Sequence, residues 1–427
     1  MEENTVAKQN TIRKDVVWNL IGQFSYLFGL WVITMLTTKF IGFEAQGVLS
    51  LALVAGNICT SVANYYLRLQ YASDIYGRFK DGDYVFARFA LTLISFVVCV
   101  GYCFALQYSL ATILSIMLFY VYKAFEMLSD IYQGVLQRHG KLYLGGYTMT
   151  AKGILSVGVF LLIAKLTANL DFALIGIAVV AAAIFVIDVL LTKKVAGFAF
   201  KTNMFQWGAL RKLLVLCFPL FLLHLGCNVL PSLPRIFFEK IYDQTQLGYY
   251  ASIANIAVLI QTAASAAMIP LVPRISKLYS EGKTASFLKF CGVVMGIWVA
   301  LGGIACIIVH FAGDWALKLV YGEEIAPYTY TFLLTTVAAI ATALVIVATQ
   351  ILGAMEKRLW AALALGIGTV VCAAISYPLC TNQYMNGISL ALIISEGVSI
   401  IAALMVIWFF RKAPEKQVEK IDRNETR

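Results

Sequence analysis

The sequence predicts an all-α, polytopic membrane protein of about twelve transmembrane helices in two six-helix lobes. Three observations carry that prediction. Apolar stretches of about twenty residues, the length a helix needs to cross a hydrocarbon core of about 30 Å, recur along the whole chain. The composition is 61% hydrophobic and 13% charged, with a mean hydropathy of +0.81, whereas soluble domains are about 25% charged. The basic residues also alternate in side. Of the 33 Lys and Arg, five (Lys39, Lys165, Arg235, Lys240 and Lys318) fall on one side of the implied bilayer, Lys123 and Lys152 lie inside spans, and the other 26 share the opposite side. The positive-inside rule places those basic loops and both termini in the cytoplasm.

The spans follow in order. Span 1 (16–38) enters after Arg13-Lys14; it is too long for a signal-peptide core and no small-residue cleavage site follows it, so it is expected to stay as an anchor. Span 2 (45–67) starts beyond Gly42 and ends at Arg68. A basic loop, 69–85, precedes span 3 (86–108), with Arg88 counted on the loop side. Span 4 (110–136) ends at Arg138. Spans 5 (145–165) and 6 (172–192) follow, then the long polar connection 193–211. Span 7 (212–234) carries Pro231 and Pro234 near its end. Span 8 (245–270) leads to a basic loop over 271–286, expected to be short and partly helical. Spans 9 (287–311), 10 (327–352), 11 (359–380) and 12 (387–410) complete the set. The expected domains are an N-terminal lobe (1–192), a linker (193–211), a C-terminal lobe (212–410) and a charged tail (411–427), the last disordered beside the anionic leaflet.

The halves share faint similarity. Ile41-Gly42 through Gly47-Val48-Leu49-Ser50 before span 2 matches Ile241-Tyr242 through Gly248-Tyr249-Tyr250-Ala251-Ser252 before span 8. Gly134 near the end of span 4 matches Gly353 near the end of span 10. Both halves start on the same side, so a pseudo-two-fold axis along the membrane normal would relate them, as in transporters built from parallel repeats.

Several function classes are disfavoured. The net charge of +10 follows from basic cytoplasmic loops and needs no nucleic-acid partner. The nine cysteines form no CxxC pair, the histidines (His139, His224 and His310) are far apart, and no HExxH, P-loop or GxSxG pattern occurs. No cofactor or metal is expected, and no enzymatic activity.

Charges inside spans are costly and mark candidate functional sites. Lys123, Glu126 and Asp130, spaced i, i+3 and i+7, share one face of span 4, which must look at a bundle interior or a wet cavity. Lys152 in span 5 can join them or snorkel to the headgroups. Arg235 follows two prolines at the outer end of span 7; a guanidinium suits phosphate, and interfacial anchoring is the plainer role. Glu396 lies mid-span in span 12 and can take a proton or cation, or be a hydrogen-bonded structural acid. His224 can relay a proton or sit satisfied in a core. Asp188, five residues before Lys193, is expected to reach the cytoplasmic interface. Asn19, Asn228, Tyr65, Tyr66 and Tyr120 are candidates for a polar, sugar-facing wall; helix–helix hydrogen bonds and the interfacial aromatic belt account for such residues equally well.

The two-lobed layout, with Arg13-Lys14-Asp15-Val16-Val17-Trp18-Asn19-Leu20-Ile21-Gly22 entering span 1, Ile41-Gly42 through Ser50 at the turn into span 2, and Gly134-Val135-Leu136 through Gly140-Lys141 after span 4, resembles the polysaccharide-type, Wzx-like flippases of the multidrug/oligosaccharidyl-lipid/polysaccharide (MOP) exporter superfamily. The resemblance covers almost the whole chain in layout and implies a MATE-like fold in a bacterial cytoplasmic membrane. It further implies ATP-independent transport of an undecaprenyl-pyrophosphate-linked oligosaccharide to the outer leaflet by alternating access. A monomer in contact with membrane lipid would work beside glycosyltransferases and a polymerase, with a proton or sodium gradient as the energy source to consider. Buried cations such as Lys123, Lys152 or Arg235 would meet the pyrophosphate; Glu126, Asp130, Glu396 and His224 would line the cavity or couple an ion. Two alternatives stand beside it. A cation-coupled drug or metabolite exporter of the same fold would want a carboxylate-dominated cavity, and this chain offers a mixed one. A glycan polymerase or ligase would want a large outer loop, and the outer loops here are short.

Overall fold

The computed structural model describes residues 2–74, 77–197 and 206–412. Among them there is no β-strand: the chain runs as helices joined by brief turns. Only helices and closed barrels satisfy their backbone polar groups without water, so long helices with minimal loops are the expected outcome of this composition.

The chain packs as two compact units, Met1–Asn228 and Val229–Arg427. The first contains α1 (Glu2–Phe40), α2 (Phe43–Asn64), α3 (Leu67–Ser73), α4 (Asp81–Ala105), α5 (Leu110–Arg138), α6 (Leu142–Thr167), α7 (Leu170–Ala196) and the first part of α8 (Trp207–Ile241). The second takes the rest of α8, then α9 (Gln244–Ser280), α10 (Thr284–Tyr321), a 3-10 turn (Glu323–Tyr328), α11 (Thr329–Ala354), α12 (Arg358–Gln383) and α13 (Met385–Phe409). Every expected span falls on helix, span 2 with a break at Tyr65–Tyr66. Eleven helical segments among the described residues are long and apolar enough to cross a membrane. The span expected over 245–270 lies inside α9.

Several boundaries differ from expectation: α1, α8 and α10 all run beyond the expected spans, α10 as far as Tyr321. Helix α4 begins at Asp81 instead of 86, because Asp83 accepts from the Lys80 backbone N–H at 3.0 Å and caps the helix start. Arg88 therefore lies inside α4, not in a loop. Over 271–286, α9 simply continues to Ser280, carrying Pro270 and Pro273 within it. Span 2 is split into α2 and α3 at Tyr65–Tyr66. The middle of the expected linker (198–205) and most of the tail (413–427) lie outside the described residues.

Close packing relies on small residues, as it does where lipid removes any hydrophobic drive between helices. Helices α1 and α6 approach so tightly that a Cβ on Gly22 would lie 2.6 Å from the Gly146 carbonyl oxygen, and one on Gly146 would lie 2.3 Å from that of Trp18. Seven residues on, the contact repeats: a Cβ on Gly153 would sit 2.6 Å from the Ser25 carbonyl oxygen. The first unit has a buried core of Leu67, Tyr71, Tyr84, Val85, Leu91, Ile131, Val135, Leu210, Leu213 and Cys217, so the start of α8 packs there. Leu93, Val97, Val179, Ile308 and Phe311 are more than half exposed, a surface suited to lipid contact.

The repeated sequence signals occupy matching places. Gly47 and Gly248 lie early in α2 and α9, the second long helix of each unit; Gly134 and Gly353 lie near the ends of α5 and α11, the fourth.

Candidate functional site

The first unit gathers its buried charges along α5. Lys123 and Glu126, one turn apart, pair at 3.1 Å. Tyr26 of α1 donates to Glu126 Oε2 at 2.7 Å, and Lys123 donates to the Tyr26 hydroxyl at 2.9 Å. Lys152 of α6 reaches within 4.0 Å of the same carboxylate oxygen, its ammonium 4.3 Å from the Tyr26 ring centroid, a cation–π distance. Two ammonium groups thus share one carboxylate. The cluster holds a formal charge of plus one away from water.

One turn further along α5, Asp130 lies between two arginines. Arg68 of α3 donates to one carboxylate oxygen at 2.8 Å and Arg88 of α4 to the other at 2.9 Å. Arg88 is wholly buried and donates again, to the Ala63 carbonyl at 2.7 Å. This group too carries two cations against one acid. Gln133 donates to Asp188 at 3.2 Å. Asp188 is fully buried and does not extend to the interface as expected, since α7 turns that face onto α5.

Neither Arg68 nor Arg88 is recognisable from sequence as a site residue, because each sits beside a run of loop cations. The available signal is that Arg88 lies in an apolar stretch, Tyr84–Leu91, where a solvated arginine is out of place. Tyr26 has no sequence signal: it is one of 22 tyrosines.

The expected sugar-facing residues divide. Tyr65 stacks on Phe221 of α8 with centroids 4.6 Å apart and planes 12° from parallel. Tyr66 meets His224 edge-on at 5.4 Å. Asn228 donates to Ser61 at 3.1 Å and to the His224 carbonyl at 3.0 Å, a helix-to-helix tie of the bland kind. Asn19 is partly buried, its side-chain oxygen without a partner. Tyr120 is packed, 1% exposed, its hydroxyl donating to the Thr92 carbonyl at 2.9 Å; as a wall residue it needs correction, since helices α4 and α5 close over it.

In the second unit, Pro231 and Pro234 interrupt the bonding of α8 without ending it. Proline has no N–H, so Pro234 leaves the Leu230 carbonyl without its helical donor. The Cys372 thiol of α12 approaches that oxygen at 3.6 Å. Arg235, next along, has its Nε buried and unpartnered. Its guanidinium lies 5.9 Å from the Tyr250 ring, and among the described residues no carboxylate comes within 4 Å of it. Glu396 of α13 is 1% exposed. One carboxylate oxygen accepts from Thr342 of α11 at 2.7 Å; the other is buried without a partner. Among the described residues no group of three metal-ligating side chains forms.

Helices of membrane-crossing length in two compact units, with ionisable side chains gathered inside each, define a multi-span membrane protein with the fold of MATE-like MOP-superfamily transporters. The solved structures it is similar to include the lipid II flippase MurJ in an inward-closed conformation, at a TM-score of 0.70 and 14% identity over 96% of this chain and 90% of that one. An inward-facing MATE-family multidrug resistance transporter of the MOP superfamily matches at 0.66 and 12%, over 96% and 99%. In sequence, the chain is 25% identical over 249 residues to the capsular polysaccharide biosynthesis protein CapF of Staphylococcus aureus, covering 58% of this chain and 62% of that protein, less than two thirds of its length. No family model matches.

Proposed function

We propose that this protein is a flippase that moves undecaprenyl-pyrophosphate-linked oligosaccharide repeat units from the cytoplasmic to the outer leaflet by alternating access, for surface polysaccharide assembly. The observation that carries this reading is unbalanced positive charge within membrane-spanning helices: Lys123 and Lys152 share Glu126, and among the described residues no carboxylate pairs with Arg235 within 4 Å. Uncompensated charge in a bilayer is costly and is kept where an anion visits. Pyrophosphate is such an anion, and it needs fixed cations to leave the headgroup layer. The likeness to a capsule-biosynthesis protein and to a lipid II flippase supports a glycan-lipid cargo. The protein then needs no catalytic residue and no cofactor, resides in a bacterial cytoplasmic membrane with both termini inside, and works as a monomer supplied by glycosyltransferases and drained by a polymerase.

Glu396 favours gradient coupling. A lone buried carboxylate with one unpartnered oxygen is a place for a proton or a sodium ion, and the same feature would serve a cation-coupled exporter of small molecules.

The test is the sidedness of the undecaprenyl-linked glycan in cells depleted of this protein. Completed repeat units should accumulate on the cytoplasmic face and clear on re-expression. Normal sidedness, with altered efflux of cationic dyes, would transfer the assignment to a drug-type exporter.

A further inference from the structure

Helix α2 is interrupted where its sequence offers no glycine or proline. Tyr65 and Tyr66 both adopt left-handed backbone conformations, with φ of 43° and 56°, and α3 resumes at Leu67. Two consecutive bulky residues in that region persist only where surrounding contacts hold them. Those contacts are specific. Upstream of the break, Arg88 takes the Ala63 carbonyl at 2.7 Å, the oxygen that an unbroken helix would give to the Leu67 N–H. Downstream, Arg68 in the first turn of α3 pairs with Asp130, which also holds Arg88. Both sides of the break are therefore tied to one carboxylate on α5. The displaced rings dock on α8: Tyr65 on Phe221 and Tyr66 on His224.

We propose that the Tyr65–Tyr66 break is a switchable joint and that Asp130 is its latch, a positioning residue that acts through Arg68 and Arg88. In the latched state the joint is broken and the two rings grip α8. In the released state the Ala63 carbonyl returns to the Leu67 N–H, the chain becomes one helix from Phe43 to Ser73, and the rings leave Phe221 and His224. The joint links the charge state around Asp130 to the face of α8 that carries His224 and Asn228. It goes beyond the flippase reading and does not depend on what is carried.

The experiment is a spin-label distance measurement on the full chain in lipid nanodiscs without substrate. Labels replace the exposed Glu44 and Ser73 in a background whose native cysteines are changed to alanine or serine. A continuous helix sets the backbone separation at about 44 Å; the broken form is shorter. Asp130→Asn should raise the fraction near that long distance roughly tenfold, the scale of losing one hydrogen bond to a charged group. An Asp130→Asn distribution that matches the wild type would overturn the proposal. Should that variant fail to fold, a matched pair decides. Tyr65→Ala/Tyr66→Ala and Tyr65→Gly/Tyr66→Gly lose the same rings and differ only in backbone preference. The alanine pair should populate the long distance and the glycine pair the short one; identical distributions would overturn the joint. Failure here leaves the leaflet assay untouched, and failure of that assay leaves these distances unchanged.

Discussion

Charge accounting separates two kinds of ionisable residue in the spans. Glu126 and Asp130 are each held between two cations, so removing either acid strands positive charge out of water. Glu126→Gln should destabilise the purified protein by about 3 kcal/mol, the scale of breaking a buried ion pair from one side, read as a lower unfolding temperature in detergent. Arg235 is the contrasting case. Arg235→Ala breaks no ion pair, so its unfolding temperature should stay near the wild-type value while glycan flipping falls by on the order of tenfold or more. Arg235→Lys should recover only part, because an ammonium cannot make the forked contact to phosphate. A normal flipping rate in Arg235→Ala would remove this residue from the anion path. Glu396→Gln keeps an acceptor for Thr342 and should fold, but it cannot take up a proton; transport should lose its dependence on pH, and an unaltered pH profile would exclude Glu396 from coupling. Sequence reading reaches part of this. The Lys123–Glu126 spacing makes that pair visible, since i and i+3 always meet on a helix. The partners of Asp130 are invisible, because Arg68 and Arg88 lie 62 and 42 residues away in the chain and only the packing of α3 and α4 on α5 brings them in.

Among the elements, hydropathy locates nearly every helix because lipid imposes one solution on an apolar stretch, and it fails where packing overrides the pattern. The Tyr65–Tyr66 break has no local breaker, and the long run of α9 through Pro270 and Pro273 defies two residues that usually end helices. At the break, tertiary contacts decide. The glycines of α1 and α6 make the same point in a form that can be measured. Gly146 and Gly158 lie on one helix and read alike in sequence. A Cβ at Gly146 meets the Trp18 carbonyl at 2.3 Å, whereas one at Gly158 meets nothing within 4 Å. Gly146→Ala should therefore push α1 from α6 and cost about 1–3 kcal/mol, as overpacking does. Gly158→Ala should be neutral or stabilise by up to about 1 kcal/mol, the helix propensity gained. Thermal unfolding of the two variants side by side checks this, and equal effects would mean that the close α1–α6 approach is absent from the native protein.

Across the whole molecule, orientation decides what the clusters can do. The sequence argues it from the 26 basic residues on one side against five on the other, and that bias reports how the chain was inserted. In that orientation Arg235 and the turn 242–243 lie toward the cell exterior, whereas Arg68, Arg88 and Asp130 lie toward the cytoplasm. The nine native cysteines form no disulfide, seven being buried and two half-buried, so single introduced cysteines give a readable signal. An impermeant maleimide applied to intact spheroplasts should label cysteine at Thr167 and Glu323, and should label His139, Lys283 and Lys412 replacements only after the membrane is opened. The reverse pattern would put Arg235 at the cytoplasmic side and overturn the orientation argued from the basic residues.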